Sequence, residues 1–125
     1  MAKPDVTSRK DIEIIVNTFY EKVKLDTEIG FMFSHVDWDK HLPVMYDFWD
    51  NVMFHTGHYS GNPMAKHMMA HSGNPMNTGH FKHWLKLFSE TLDGLYAGKN
   101  TELLKERAKN IAMIMQIKIL GDPIS

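Results

Sequence analysis

With 125 residues and 43% of them apolar, the chain can build one hydrophobic core and is too short for two domains, so disorder is excluded. Fourteen basic against fifteen acidic side chains leave a net charge of -1, which argues against a nucleic-acid or membrane-surface binder. Cysteine is absent, which excludes disulfides, thiolate metal sites and cysteine nucleophiles.

The first residues, Met1 to Val6, lack the apolar centre of a signal peptide, and no apolar run approaches the roughly 20 residues of a membrane span. The expectation is a single cytoplasmic domain over residues 1–125 with no membrane contact. Ten methionines, eight histidines and seven phenylalanines form an unusual mixture for this length. Methionine adapts to irregular shapes, so such a chain either lines a large apolar ligand or has a softly packed helical core.

Ser8 and Asp11 form a capping box ahead of Ile12, Ile15, Val16, Phe19 and Val23, a helical stripe that predicts a helix over about 9–25. Tyr20 lies beside that stripe and can turn its hydroxyl toward the core. From Glu28 to His35 the chain reads as one or two short turns after Asp26. A second helix follows Asp37 and ends near His55, with His41, Met45, Phe48, Trp49 and Val52 on its apolar face. Pro43 belongs in its first turn or kinks it.

Tyr59 to Pro63 is a turn, and Asn62 and Pro63 are suited to cap and open a short helix. Met64, His67, Met68 and His71 share one stripe of that helix. An imidazole among thioethers is either a satisfied buried histidine or a metal ligand through one ring nitrogen. The stretch from Ser72 to Gly79 reads as a loop. A third main helix, about 79–96, carries Phe81, Trp84, Leu85, Phe88, Leu92 and Leu95, and Gly98 fits its C′ position. The last helix starts at Asn100 or Thr101 with Leu104, Ala108, Ile111, Met115 and Ile119 on its stripe, and Gly121 lies past its end. No segment alternates as a strand does. The fold class is all-α.

Tyr and Trp are normally buried with a partner for their polar atom. Tyr20, His41 and Trp84 on apolar faces therefore call for an acceptor in the interior. An iron-bound diatomic ligand is one, with His67 as axial ligand on the opposite wall. The residues that carry this set resemble the truncated haemoglobins, specifically group III. They are Phe19-Tyr20, the run Ile29 to Phe33, Trp38 to His41 with Phe48-Trp49, Tyr59 to Met64 with His67, and His80 to Phe88. Groups I and II carry paired glycines before helices, and no two glycines are adjacent here.

That resemblance implies a truncated-globin fold, a 2-over-2 helical sandwich around a non-covalent haem b. It makes His67 the proximal iron ligand, with His71, one turn further, as the other candidate. Tyr20 and Trp84 become the distal hydrogen-bond donors, and His41 takes the distal-histidine position. Phe33 packs on the porphyrin, and Met45, Phe48, Trp49, Met64 and Phe81 line the rest. On spacing alone these last residues would be core in any helical protein.

The implied partners are diatomic gases (O2, NO or CO) and, for any turnover, an external reductase, since no flavin or reductase motif is present. Ligand trapping or redox handling of O2, NO or peroxide is the expected role, with dioxygenase- or peroxidase-like chemistry left open. Simple oxygen carriage is the alternative. A second alternative is a zinc or di-metal helical protein using His67 with His71, or His55 with His58. Against it, no carboxylate sits between the paired histidines. A helical interaction domain without cofactor leaves the Tyr20, His41, Trp84 and His67 set unexplained.

Overall fold

The computed structural model describes residues 3–30, 37–55 and 78–120, and among these it contains four α-helices and no strand. They are α1 (Arg9–Leu25), α2 (Trp38–Phe54), α3 (Thr78–Leu95) and α4 (Lys99–Leu120). Their ends follow from local chemistry. At the start of α1 the Asp11 carboxylate accepts from the amides of Thr7 at 2.9 Å and Ser8 at 3.2 Å, as the capping box requires. The chain leaves α1 at Asp26, whose Oδ1 accepts from the amides of Glu28 at 2.8 Å and Ile29 at 3.0 Å. This closes the single turn that follows. Helix α2 stops because His55 adopts a left-handed conformation, φ 55°, which ends the α-helical ladder.

Pro43 sits inside α2, beyond its first turn. Having no N–H, it cannot return the Asp39 carbonyl's hydrogen bond. The stretch still stays helical from Trp38 to Phe54 because Met45, Phe48 and Trp49 are driven into the core from its far side.

The order of packing is α1 against α2 and α3, α3 against α4, and α2 against α4. The α1–α2 pair therefore rests on the α3–α4 pair, which is the two-over-two arrangement expected. Every residue named for the α1 stripe is buried, as are His41, Met45, Phe48 and Trp49 from α2 and Phe81, Trp84, Phe88 and Leu92 from α3. Val52, Leu85 and Leu95 pack partly buried at the rim of that core. No described helix is long and apolar enough to cross a membrane.

The junction of α3 and α4 corrects one expectation. Gly98 does not close α3; it precedes α4, and its carbonyl accepts the first helical bond, from the Glu102 amide at 3.1 Å. A glycine has no side chain with which to cap the helix. Asp5, far away in sequence, supplies the cap instead. Its carboxylate accepts from the Asn100 amide at 2.9 Å, and from the Thr101 amide and hydroxyl at 2.8 Å each. With φ 141° at Gly98, a Cβ there would come 2.5 Å from the Asp5 Cγ, so glycine is required twice over. Burial alone would raise the Asp5 pKa, but these hydrogen bonds and that from Val6 hold it below the ordinary carboxylate value. The Ala97 amide donates to the Pro4 carbonyl at 2.9 Å, and Asn100 Nδ2 to the Val6 carbonyl at 2.7 Å. The amino-terminal strap is thereby tied across the junction.

Candidate functional site

Helices α1, α2 and α3 bring three sequence-selected residues into one interior: Tyr20, His41 and Trp84. Each sits where its helix turns an apolar stripe inward. Tyr20 and His41 are 2% and 3% exposed, and their rings meet edge to face with centroids 5.8 Å apart. Trp38, the first residue of α2, completes a three-ring group, 5.0 Å from Tyr20 and 5.7 Å from His41. The Lys24 ammonium lies over Trp38, 4.7 Å from its ring centroid, a cation–π contact. Trp84 approaches from the other side through Phe19. The Phe19 ring is 5.0 Å from Tyr20 and 5.6 Å from Trp84, tilted steeply to both. Such edge-to-face pairs match the positive ring edge to the negative face.

The polar atoms of this group are unevenly served. The Tyr20 hydroxyl donates to the Met45 Sδ at 3.5 Å, and a thioether is a weak acceptor. Burial pushes the Tyr20 phenol well above its ordinary pKa, so it stays a neutral donor at physiological pH. Trp84 is fully buried, and no described residue accepts from its Nε1. An unmet buried donor of this kind costs about 1–3 kcal/mol, which natural interiors rarely leave unexplained.

Of the residues expected to line the pocket, Met45, Phe48, Trp49 and Phe81 are buried in the same core. Phe33, Met64, His67 and His71, with the short helix predicted to carry the last three, lie outside the described residues. Among the described residues no three His, Asp or Glu side chains gather to hold a metal. Two open clefts lie elsewhere. One of about 300 Å³ separates α2 from α4 at Asn51, His55, Arg107 and Ile114, and one of about 390 Å³ runs along Leu85, Ser89 and Lys105. Neither touches the Tyr20–His41–Trp84 group.

A model of the bacterial-like globin family matches residues 5–117. The chain belongs to that family. This globin is 29% identical over 120 residues to the group 3 truncated hemoglobin ctb of Campylobacter jejuni, covering 91% of this chain and 92% of that protein. It also superposes on the crystal structure of the group III truncated hemoglobin from Campylobacter jejuni with a TM-score of 0.78, at 29% identity over 94% of each chain. The resemblance read from the motifs is thus borne out, and so is the all-α truncated-globin fold. As a globin, the chain belongs to a class of haem-binding proteins.

Two polar clusters escaped the sequence reading. His83 is half-buried between two carboxylates. Its Nε2 lies 2.7 Å from Asp26 Oδ2 and its Nδ1 3.3 Å from Glu28 Oε2. This pins the turn after α1 to α3 one residue before Trp84. Burial alone would raise the Asp26 pKa, but His83 and the amides of Ile29 and Glu28 hold it below the ordinary carboxylate value. Asp50, on the otherwise apolar face of α2, is 4% exposed beside Trp49 and pairs with Arg9 Nη1 at 3.2 Å. Arg9 also reaches Asp47 at 2.8 Å. The only hint in the sequence was helical spacing, since Asp50 lies three and four residues from Asp47 and Tyr46 but far from Arg9.

Proposed function

We propose that this globin binds one non-covalent haem b, whose iron His67 would hold, and that Tyr20, His41 and Trp84 would serve the bound diatomic ligand. Phe33, Met45, Phe48, Trp49, Met64 and Phe81 line the cofactor. When bound, haem iron supplies a coordination position for O2, NO or CO and an electron that polarises the ligand.

The observation that carries the reading is the buried Trp84 Nε1, for which no described residue is an acceptor, in one group with the Tyr20 hydroxyl and the His41 ring. A ligand with partial negative charge on its outer atom satisfies such donors, and family membership makes that ligand a diatomic gas. Tyr20 remains protonated and can release its weak bond to Met45 for a better acceptor. Trp84 is held by Phe19 and Phe88 and has little freedom to turn away. The rings of Phe19, Phe88 and Trp49 exclude water, which strengthens every hydrogen bond made among them.

Hydrogen bonds to charged acceptors contribute about 1.5–3 kcal/mol each, and about 1.4 kcal/mol is a factor of ten. Two such donors slow ligand escape by about two orders of magnitude or more. A protein that releases oxygen so slowly is a poor carrier, which favours trapping or redox handling of O2, NO or peroxide with electrons from a separate reductase. The test is stopped-flow release of oxygen from the reduced, haem-loaded protein. Tyr20→Phe and Trp84→Phe each change the rate at least several-fold, non-additively because they share one ligand. Fast release by the unmutated protein, indifferent to both substitutions, overturns the trapping role and restores simple carriage.

A further inference from the structure

Trp84 is central to the proposed ligand site, yet no described residue accepts a hydrogen bond from its indole. Its ring neighbours are Phe19, Trp49 and Phe88. Contacts among apolar rings fix a separation but little direction, because burial is favourable in any arrangement that excludes water. Phe88 is no independent anchor. It stands one turn along the same helix, its plane 4° from that of Trp84, and travels with it. The slide and rotation of α3 against α1 have to be set by something more directional.

His83, the residue before Trp84, supplies it. Its Nε2 lies 2.7 Å from Asp26 Oδ2, and hydrogen bonds weaken steeply with distance and angle. Asp26 is itself tied to α1 and its turn. Its amide donates to the Val23 carbonyl at 3.1 Å, its carbonyl accepts from the Gly30 amide at 3.0 Å, and its Oδ1 is taken by the Glu28 and Ile29 amides. The turn lies so close on α1 that a Cβ at Gly30 would come 2.9 Å from the Val23 carbonyl oxygen. Tyr20 is on the same helix, about 9 Å along its axis from Asp26. The His83–Asp26 bond therefore joins the neighbour of one donor to the helix that carries the other. Asp26 is the firmer of the two carboxylate partners, 14% exposed against 63% for Glu28. A neutral imidazole with its proton on Nε2 suffices to make the bond. We infer that His83 is a positioning residue: its bond to Asp26 sets the place of the Trp84 N–H relative to the Tyr20 hydroxyl, and so how the two donors share one ligand. The inference rests on the haem reading above.

The experiment compares His83→Leu, which loses both contacts, with His83→Gln, whose amide N–H stands in for Nε2. Asp5→Ala is the reference for stability lost elsewhere. In the haem-loaded protein, infrared spectroscopy reads the stretch of coordinated CO, and stopped flow reads oxygen release from the reduced form. His83→Leu shifts the stretch in the direction that Trp84→Phe shifts it and changes oxygen release by about two- to tenfold, the range of one hydrogen bond. His83→Gln restores both, and Asp5→Ala moves neither. On a Trp84→Phe background, His83→Leu changes nothing further. In the haem-free protein, isotopically labelled at tryptophan nitrogen, the Trp84 Nε1–H resonance moves in His83→Leu and keeps its place in His83→Gln and Asp5→Ala. Should His83→Leu fail to fold, His83→Asn, too short to reach Asp26, replaces it. An unmoved CO stretch and indole resonance in a variant that only melts earlier reduce His83 to a structural bond and overturn the inference. An equal shift on the Trp84→Phe background also overturns it, because His83 then acts on the ligand by another route. Failure of the unmutated protein to develop a Soret band sinks the haem reading and takes the inference with it, whereas a Soret band without these effects sinks the positioning role alone.

Discussion

The two ends of α3 treat polar groups in opposite ways. Where α3 hands over to α4, each carboxylate is surrounded by donors: Asp5 by three amides and a hydroxyl, and Asp11 by the Thr7 and Ser8 amides and the Tyr96 hydroxyl at 2.9 Å. Burial, followed by that bond to Asp11, pushes the Tyr96 phenol up to about 12. Around Trp84, in the first half of the same helix, the reverse holds: Trp84 and Trp49 bring buried donors to which no described residue responds. A chain that satisfies polar atoms so fully at its structural end has the means to do so elsewhere. Two buried donors for which no described residue is an acceptor are the observation on which the proposed ligand site rests.

The largest effect tests the central half of that contrast. Replacing His67 by Ala should abolish or greatly weaken the Soret band of the haem-reconstituted protein, while His71→Ala should leave it nearly intact. The reverse pattern would pass the iron ligand from His67 to His71. Haem loading should itself raise the melting temperature, since a ligand at about a thousand times its Kd stabilises the native state by about 4 kcal/mol. Differential scanning calorimetry of loaded and haem-free protein checks this, and equal melting temperatures would make the aromatic interior an ordinary core.

The structural end should respond in the other currency. Asp5→Ala removes the distant cap of α4 and takes the acceptor from the amides of Val6, Asn100 and Thr101, which should lower stability in urea by about 2–3 kcal/mol. The Soret band and ligand kinetics of that variant should match the unmutated protein. An altered ligand rate would show that the two ends are coupled.

The smallest effect concerns pH. Because the folded Asp26 carboxyl lies below its unfolded value, its stabilisation is present above the unfolded pKa of about 3.9 and is lost as pH falls through the folded one. Asp5 and Asp11, also lowered, act with the same sign. Asp26→Asn should cost about 1–2 kcal/mol at neutral pH and flatten the acid limb of stability against pH. A slope as steep as that of the unmutated protein would assign the acid limb to Asp5 and Asp11 instead.

Helix α1 was legible to the residue, and α2 and α3 to within a residue or two, because their signals are local: a capping box, stripes of apolar side chains and the glycine- and proline-rich segments between them. The burial of Tyr20, His41 and Trp84 was legible as well. Spacing alone makes them core aromatics, and only the ordered set of motifs singled them out. Tertiary structure decided the rest. Gly98 looks like the end of one helix in the sequence and proves to be the beginning of the next, because the cap it needs comes from Asp5 across the fold. His83 looks like a surface residue because its partners, Asp26 and Glu28, follow the far end of α1. Asp50 is an acid on an apolar stripe until Arg9 reaches it from α1. Periodicity and capping depend on neighbours within about one helical turn, so a single chain displays them. Whether a buried polar atom finds a partner depends on which distant segments the packing brings beside it, and that is how Trp84 and Trp49 come to stand out from the rest of the core.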